Sequence, residues 1–237
     1  MMKLTKWQMF ALAALAAAAV AWAGPAEAKD PTGKFVLVLD PAHGGQDDGV
    51  QLARKVVEKD VTLSIATLVK RNLEDAKNMT VRFTRMGDAG VAMTDRVGAA
   101  IKAHADLFIS IHVNAGFEKE AAGYELYFPG FGSQEAAKGA PKGESAAIVR
   151  DMVRTKHLNE AVRFGQILQK RLDTVFPRQD RGLRSGPVPI LQSLTIPAVV
   201  LEVGFATNAN DRKKLQEESI QASVAKAIAD SVREFFQ

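Results

Sequence analysis

The chain has 237 residues, of which 47% are hydrophobic and 24% are charged, with a formal net charge of +4 and no cysteine. This length suits one domain that buries its own core, and the absence of cysteine excludes a disulfide framework, a cysteine metal site and a thiol nucleophile. The small positive charge is too weak to indicate nucleic-acid binding.

The amino terminus has the features of an export signal. Two lysines precede an apolar stretch, residues 7–22, and a small-residue cleavage motif ends at Ala28. The apolar stretch is shorter than the roughly 20 residues that span a bilayer, which favours a cleaved signal peptide over an uncleaved anchor helix. We therefore expect residues 1–28 to be removed on secretion across the inner membrane, and residues 29–237 to form the functional domain.

Apolar runs alternate with helical patterns along the rest of the chain. Runs rich in Val, Ile, Leu and Phe predict strands at 35–39, 79–83, 106–113, 122–128 and 197–203. Apolar residues at helical spacing predict helices from Asp60, from Thr94, over 158–172 and over 219–236. This alternation is typical of the α/β class, and it predicts a single domain with a mostly parallel central sheet and helices on both faces.

One connection breaks this rhythm. Residues 129–156, which are rich in Gly, Ala and Lys, separate a predicted strand from a predicted helix. A connection of this length inside a compact domain is usually a lid, a binding loop or a disordered segment. An apolar stripe after Ser145 predicts that part of the segment is helical.

Polar side chains stand at the carboxyl ends of three predicted strands. His43 follows the first strand in DPAHGG, His112 lies near the end of LFISIHV, and Glu202 near the end of AVVLEV. Ligands bind at this edge of open α/β sheets, and Glu58 lies where the chain returns to it. Two histidines and one glutamate are a standard ligand set of hydrolytic zinc, which keeps a fourth position for water. His43, Glu58 and His112 supply that set. Glu202 is then an unligated carboxylate beside the metal.

Each of these residues also has a plain structural interpretation. A histidine before two glycines is typical of a turn, His112 suits a satisfied core histidine, and Glu58 suits a solvated helix start. Glu202 would then be the partner of an arginine. Two histidines and a carboxylate also hold non-haem iron. Spacing does not decide between these alternatives, so the case for a zinc site depends on the shared edge of the sheet.

Five stretches, in the same order along the chain, resemble the zinc-dependent N-acetylmuramoyl-L-alanine amidases, the type 3 cell-wall amidase family. They are VLDPAHGGQDDG, VEKDVTLSIA, FTR, DLFISIHVNAG and VVLEVGFATNANDRKKL. The resemblance implies one catalytic α/β domain that acts on peptidoglycan and cleaves the amide between N-acetylmuramic acid and the L-alanine of the stem peptide. It also implies one zinc ion per chain, held by His43, Glu58 and His112, with Glu202 as the catalytic base.

The resemblance has a further implication for residues 129–156. Family members that act in daughter-cell separation carry an insertion after the same strand, which folds as a helix and covers the zinc until a partner protein pulls it away. Residues 129–156 stand in that place. We therefore expect a regulatory insertion that binds an activator protein, and the candidate autoinhibitory ligands in it are Glu135, Glu144 and Asp151. For this protein we expect a periplasmic location.

Substrate contacts are expected on the stretch RQDRGLRSG, residues 178–186, which is predicted to be a flexible loop. Arginine binds carboxylates through two parallel hydrogen bonds, so Arg181 is the preferred contact for a stem peptide, and Asn114 is a second candidate. Solvated loop charges are the alternative interpretation. Asp40 or Ser110 is expected to orient a ligand imidazole.

A protein without turnover is the competing functional hypothesis. It would keep the fold and act as a peptidoglycan-binding or activator protein. The presence of all four chemical groups favours the enzyme. Release of stem peptides from purified sacculi would distinguish the two.

Overall fold

A computed structural model of the protein describes residues 33–116, 120–130, 144–177 and 179–237. The strands are β1 (Phe35–Pro41), β2 (Gln51–Ala53), β3 (Val56–Val57), β4 (Met79–Phe83), β5 (Leu107–Asn114), β6 (Tyr124–Pro129), β7 (Asp180–Gly186) and β8 (Ala198–Phe205). The helices are α1 (Glu58–Asn72), α2 (Met93–Lys102), α3 (Glu144–Val175), α4 (Pro189–Gln192), α5 (Ala209–Leu215) and α6 (Glu218–Phe235). The predicted signal peptide lies outside the described residues. In the part of the chain that is described, no helix combines the length and the apolar character needed to cross a membrane.

The central sheet has six strands in the order β4-β1-β5-β8-β6-β7. Strands β4, β1, β5 and β8 are parallel, whereas β6 runs antiparallel to β8 and β7 runs parallel to β6. The carboxyl ends of β1, β5 and β8 therefore meet at one edge of the sheet. The predicted α/β fold with a mostly parallel sheet is confirmed.

Helices cover both faces of the sheet, because the central strands are apolar on both sides. Helices α1, α3 and α6 pack on one face, where Val61, Ile65 and Val69 of α1 repeat at helical spacing and are at most 2% exposed. Helices α2 and α4 pack on the other face, against side chains such as Phe108 of β5 and Val200 of β8. The smaller helices on this second face leave its carboxyl-terminal part available for a site.

Helix α3 starts well before residue 158, which is the start of the helix predicted over 158–172. It is one continuous helix of 32 residues from Glu144 to Val175, so the second half of the 129–156 segment is helical; residues 131–143 lie outside the described part of the chain. Burial begins only at Leu158, and Met152 is 68% exposed. The apolar stripe after Ser145 correctly predicted helix in this segment, but the sequence did not show that it continues without a break into the packed part of the helix.

Strand β7 replaces the flexible loop predicted at 178–186, and that prediction is wrong. Residues Asp180–Gly186 pair in parallel with β6 at the edge of the sheet, with an irregular register. Only one of its side chains, that of Leu183, packs against the hydrophobic core. An edge strand with a single core residue carries no alternating apolar pattern, so the sequence gives little sign of it.

Candidate functional site

Three of the predicted site residues lie side by side at the carboxyl edge of the sheet. His112 of β5 is the register partner of Glu202 of β8, and His43 follows β1, the strand on the other side of β5. Side chains alternate between the faces of a strand, so His112 shares its face with Phe108, and Glu202 with Val200. Helices α2 and α4 cover Phe108 and Val200, which lie further back along the strands. His112 and Glu202 therefore lie beyond the part of the sheet that these helices cover.

The backbone at His43 adopts a positive φ of 61°, which is uncommon for a residue with a side chain. Two buried arginines bind the carbonyl groups of this turn. Arg96 donates to the oxygens of His43 and Pro41 at 2.7 and 2.8 Å, and Arg85 donates to those of Pro41 and Ala42 at 2.9 and 2.8 Å. Such a backbone costs about 1–2 kcal/mol, which these contacts offset.

Glu58 reaches the same place because the β2–β3 hairpin folds the chain back. Its backbone N–H donates to the Val50 carbonyl, and its side chain is only 2% exposed. Each carboxylate oxygen accepts a backbone N–H: Oε2 from Val50 at 3.0 Å and Oε1 from Val113 at 2.9 Å. The carboxylate is therefore fixed between the hairpin and β5.

Gly49 makes room for this arrangement. It has a φ of +67°, and a β-carbon at this position would lie 2.5 Å from Glu58 Oε2 and 2.6 Å from His43 Cδ2. No side chain fits there without moving both groups. Gly44 and Gly45 pack against the backbone of residues 89 and 90, where a β-carbon would likewise not fit.

The donor atoms of His43, Glu58 and His112 all lie within 4.8 Å of one another. His43 Nε2 is 3.1 Å from Glu58 Oε2, and His112 Nδ1 is 3.4 Å from Glu58 Oε1. Zinc bonds of 2.0–2.2 Å in tetrahedral geometry separate ligand atoms by about 3.4 Å. The donor set and its spacing thus fit a zinc ion. The two imidazole side chains are 25% and 30% exposed, so a substrate can reach them.

The charges of these groups are coupled. The hydrogen bond to Glu58 raises the pKa of His43 to about 9, against the opposing effect of burial and with help from Asp47. Burial pushes the pKa of Glu58 upward, but hydrogen bonds from His112, His43 and two backbone N–H groups outweigh it and lower that pKa to about 2. Glu58 is therefore a carboxylate that is ready to bind a cation.

Glu202 lies beside the cluster without being part of it. Its Oε2 atom is buried and accepts no hydrogen bond from the described residues. Burial raises the pKa of Glu202 to about 7; Glu58 and Glu125 add to this rise, whereas His112 and His43 oppose it. A carboxyl group with a pKa near neutral can both accept and release a proton at physiological pH.

Asp47, which sequence reasoning overlooked, holds the His43 ring. His43 Nδ1 lies 2.8 Å from Asp47 Oδ2. Asp40 and Ser110, expected in this role, bind each other at 2.7 Å instead, and Asp40 also pairs with Arg96 at 2.7 Å. The sequence gives little sign of this role, beyond the position of Asp47 four residues after the candidate ligand His43.

Glu125 was also missed. It is 4% exposed and is the register partner of Glu202 on the neighbouring strand β6. Asn114 and Arg181, the two predicted substrate contacts, both donate to its carboxylate, at 3.0 and 2.9 Å. The sequence signal is weak, because a glutamate between Tyr124 and Leu126 reads as an ordinary outward position of an alternating strand.

Of the three candidate autoinhibitory residues, only Asp151 has a described side chain. Asp151 is described, and it lies on an exposed groove of α3 with Met152 and Lys156, outside the cluster. Glu135 lies outside the described residues, and Glu144 is described only as the first residue of α3.

Comparisons with known proteins identify the family. The model of the family described as "N-acetylmuramoyl-L-alanine amidase" matches residues 37–234 of this chain. AmiA, an amidase of this name from Escherichia coli K12, is 31% identical over 229 residues, which cover 89% of this chain and 79% of AmiA. AmiC of Escherichia coli O6:H1 is 27% identical over 85% of this chain, which spans only 53% of AmiC.

Solved structures show the same fold. The catalytic domain of the amidase CwlV from Bacillus (Paenibacillus) polymyxa var. colistinus has a TM-score of 0.69 and 29% identity, and the match covers 85% of this chain and 98% of that domain. An N-acetylmuramoyl-L-alanine amidase from Clostridium difficile 630 has a TM-score of 0.70 and 25% identity, covering 86% and 97%. The chain therefore belongs to the N-acetylmuramoyl-L-alanine amidase family.

Proposed function

We propose that this protein carries out the reaction for which its family is named. It hydrolyses the amide between the lactyl group of N-acetylmuramic acid and the L-alanine of the stem peptide in peptidoglycan. The observation that carries the proposal is the convergence of His43, Glu58 and His112 into one donor cluster, with Glu202 beside it on the next strand.

His43, Glu58 and His112 would hold one zinc ion per chain. When bound at such a site, zinc lowers the pKa of a water molecule and polarises the scissile carbonyl. Glu58 supplies the negative charge, and its two backbone hydrogen bonds orient it. Asp47 fixes the ring of His43 through Nδ1, which leaves Nε2 directed at Glu58 and free to bind the metal.

Glu202 would act as the proton carrier. Its carboxylate accepts a proton from the attacking water, and the carboxylic acid then gives that proton to the nitrogen of the departing L-alanine. The raised pKa, which burial causes, makes Glu202 a stronger base for the first transfer. Breaking the amide thus releases a stem peptide with a new amino terminus and leaves the lactyl carboxylate on the sugar.

The cellular setting is proposed from the export-signal features of the amino terminus and from the resemblance. Residues 1–28 would direct secretion, and the mature protein would act in the periplasm during cell separation. Residues 129–156 would regulate access to the zinc, with Glu135, Glu144 or Asp151 as an added ligand and an activator protein as the partner. The exposed apolar side chains of Ile148, Val149, Met152 and Val153 support a partner-binding role for this segment.

The test is metal content together with digestion of purified sacculi. We expect about one zinc per chain, release of stem peptides that start with L-alanine, and loss of both after replacement of His43 by alanine. Labelling of new amino termini identifies the cleaved bond, because a peptidase or a glycosidase would expose different ends. Binding of sacculi without any new L-alanine amino terminus would instead support the inactive binding protein.

A further inference from the structure

Glu125 is the centre of a polar cluster next to the catalytic edge. Its carboxylate accepts hydrogen bonds from Asn114 Nδ2 at 3.0 Å, from the Tyr127 hydroxyl at 2.9 Å and from Arg181 Nε at 2.9 Å. Arg184 Nη2 also lies 3.5 Å from Glu125 Oε1. A buried carboxylate without partners is strongly unfavourable, so these four donors stabilise Glu125, and Glu125 in turn fixes their positions.

Arg181 keeps much of its binding capacity free. It uses Nε for Glu125, and within the described part of the chain its two Nη atoms form no hydrogen bond or ion pair. Its side chain is 35% exposed, and its guanidinium carbon lies 5.2 Å from the centre of the Phe205 ring. The hydrogen bond from Nε to Glu125 and the contact with the Phe205 ring fix the orientation of the guanidinium plane. The two Nη atoms therefore form a preorganised pair of donors.

The charges of the cluster favour an anion. Within this cluster, two arginines, Arg181 and Arg184, contact the carboxylate of Glu125, which is also the register partner of Glu202. The side chain of Arg184 is 48% exposed. Guanidinium groups bind carboxylates through paired, charge-assisted hydrogen bonds, which are stronger than neutral ones. The cluster therefore matches an external carboxylate group better than it matches a neutral or cationic one.

Position along the sheet identifies the part of the substrate. Arg181 is on β7, and β6 alone separates β7 from β8, which carries Glu202. Strands lie about 4.8 Å apart, so the two backbones are separated by roughly 10 Å. One residue of an extended peptide spans about 3.5 Å, and each side chain reaches towards the substrate. A carboxylate on the residue after L-alanine thus falls within reach of Arg181 when the L-alanine amide is at Glu202.

We propose that Arg181, held in place by Glu125 and assisted by Arg184, binds a free carboxylate of the stem peptide on the residue that follows L-alanine. This subsite rests on the proposed amidase function. Asn114, which sequence reasoning assigned to the substrate, is a positioning residue in this arrangement because its amide donates to Glu125. Glu125 likewise acts through Arg181 and not on the substrate itself.

The test uses two synthetic muramyl peptides that differ only in the residue after L-alanine, which carries either a free carboxylate or the corresponding carboxamide. Hydrolysis gives kcat and KM, and calorimetry gives Kd for both compounds. We expect the wild-type protein to prefer the carboxylate by about tenfold or more, mainly in KM. Arg181→Ala should reduce this preference to near one. Glu125→Gln should also reduce the preference, because it should weaken the binding of the carboxylate peptide more than that of the carboxamide peptide.

Arg233→Ala is a matched control. Arg233 of α6 pairs with Asp75, away from the polar cluster around Glu125. Its side chain is 33% exposed, close to the value for Arg181. The preference should survive this change. Arg181→Lys keeps the charge and, if Arg181→Ala fails to fold, tests the subsite through the loss of the two-donor geometry.

Equal binding of both peptides by the wild-type protein would overturn the subsite, and so would a preference that persists in folded Arg181→Ala. A failure of the amidase proposal looks different. In that case neither peptide is cleaved, yet the difference in Kd between carboxylate and carboxamide remains and is removed by Arg181→Ala.

Discussion

A β-carbon on Gly49 would lie 2.5 Å from the Glu58 Oε2 atom, which is one of the candidate metal donors. Van der Waals contact requires a much longer separation, and Glu58 cannot move away without losing its backbone hydrogen bonds to Val50 and Val113. The absence of a side chain at this position is thus part of the candidate metal site, although Gly49 supplies no donor atom to it.

The first prediction concerns this contact. Gly49→Ala should weaken zinc binding by about tenfold to 100-fold, the range seen when groups that support metal ligands are lost. Competition with a chromogenic chelator measures the affinity. Gly33→Ala is the control, because Gly33 has a similar φ of +72° but nothing within 4 Å of its β-carbon position. Equal zinc affinity in the two variants would show that Glu58 and His43 adapt to the added carbon.

The second prediction concerns the arginine under the His43 turn. Arg96→Lys should lower the free energy of unfolding by about 1–3 kcal/mol, because a lysine cannot donate to Asp40, Pro41 and His43 together. Urea unfolding of the metal-free protein measures this change. Zinc affinity should fall as well, since the turn that carries His43 loses its support. The control Arg171→Lys changes an exposed pair with Glu234 and should alter stability by less than about 1 kcal/mol.

The third prediction separates chemistry from metal binding. Glu202→Gln keeps the shape of the side chain and removes its proton transfer, so kcat should fall by about 100-fold to 10,000-fold while zinc content stays at one per chain. Activity on sacculi and metal analysis of the same sample check both parts. Glu218→Gln, an exposed substitution in the first turn of α6, should leave both unchanged. Full activity of Glu202→Gln would remove Glu202 from the mechanism.

The fourth prediction links the metal to stability. Zinc at a free concentration of 100 times its Kd should stabilise the folded state by about 2.7 kcal/mol, seen as a higher midpoint of thermal unfolding than in chelator. His112→Asn should abolish this shift, because it removes a donor of the cluster. The exposed His104 lies outside the cluster, and His104→Asn should keep the shift. A zinc effect that survives His112→Asn would place the metal elsewhere.

Strand polarity explains how much of the site was accessible from the sequence. Apolar runs identified the central strands, and the direction of β1, β5 and β8 then placed His43, His112 and Glu202 at one edge, where the structure has them. Asp47 and Gly49 were not identified, because their roles depend on the conformation of a turn. No pattern of residue types specifies a φ of +67° or the distance to a neighbouring side chain.

Long-range contacts explain the other gaps. Glu125 is significant only because β6 pairs with β8 on one side and β7 on the other, and β7 was not expected as a strand. Helix after Ser145 was predicted, but its continuity with the helix from residue 158 was not, because the residues before Leu158 do not pack on the core. Features that depend on partner strands leave little trace in local apolar periodicity.

The position of β7 at the border of the sheet has an additional consequence. A border strand offers unpaired backbone groups to other chains and is a common starting point of aggregation, which charged side chains and irregular pairing counteract. β7 carries Asp180, Arg181 and Arg184 together with a shifted register. Neutral replacements of these charged residues would therefore be expected to lower the solubility of the protein by exposing an unprotected sheet edge.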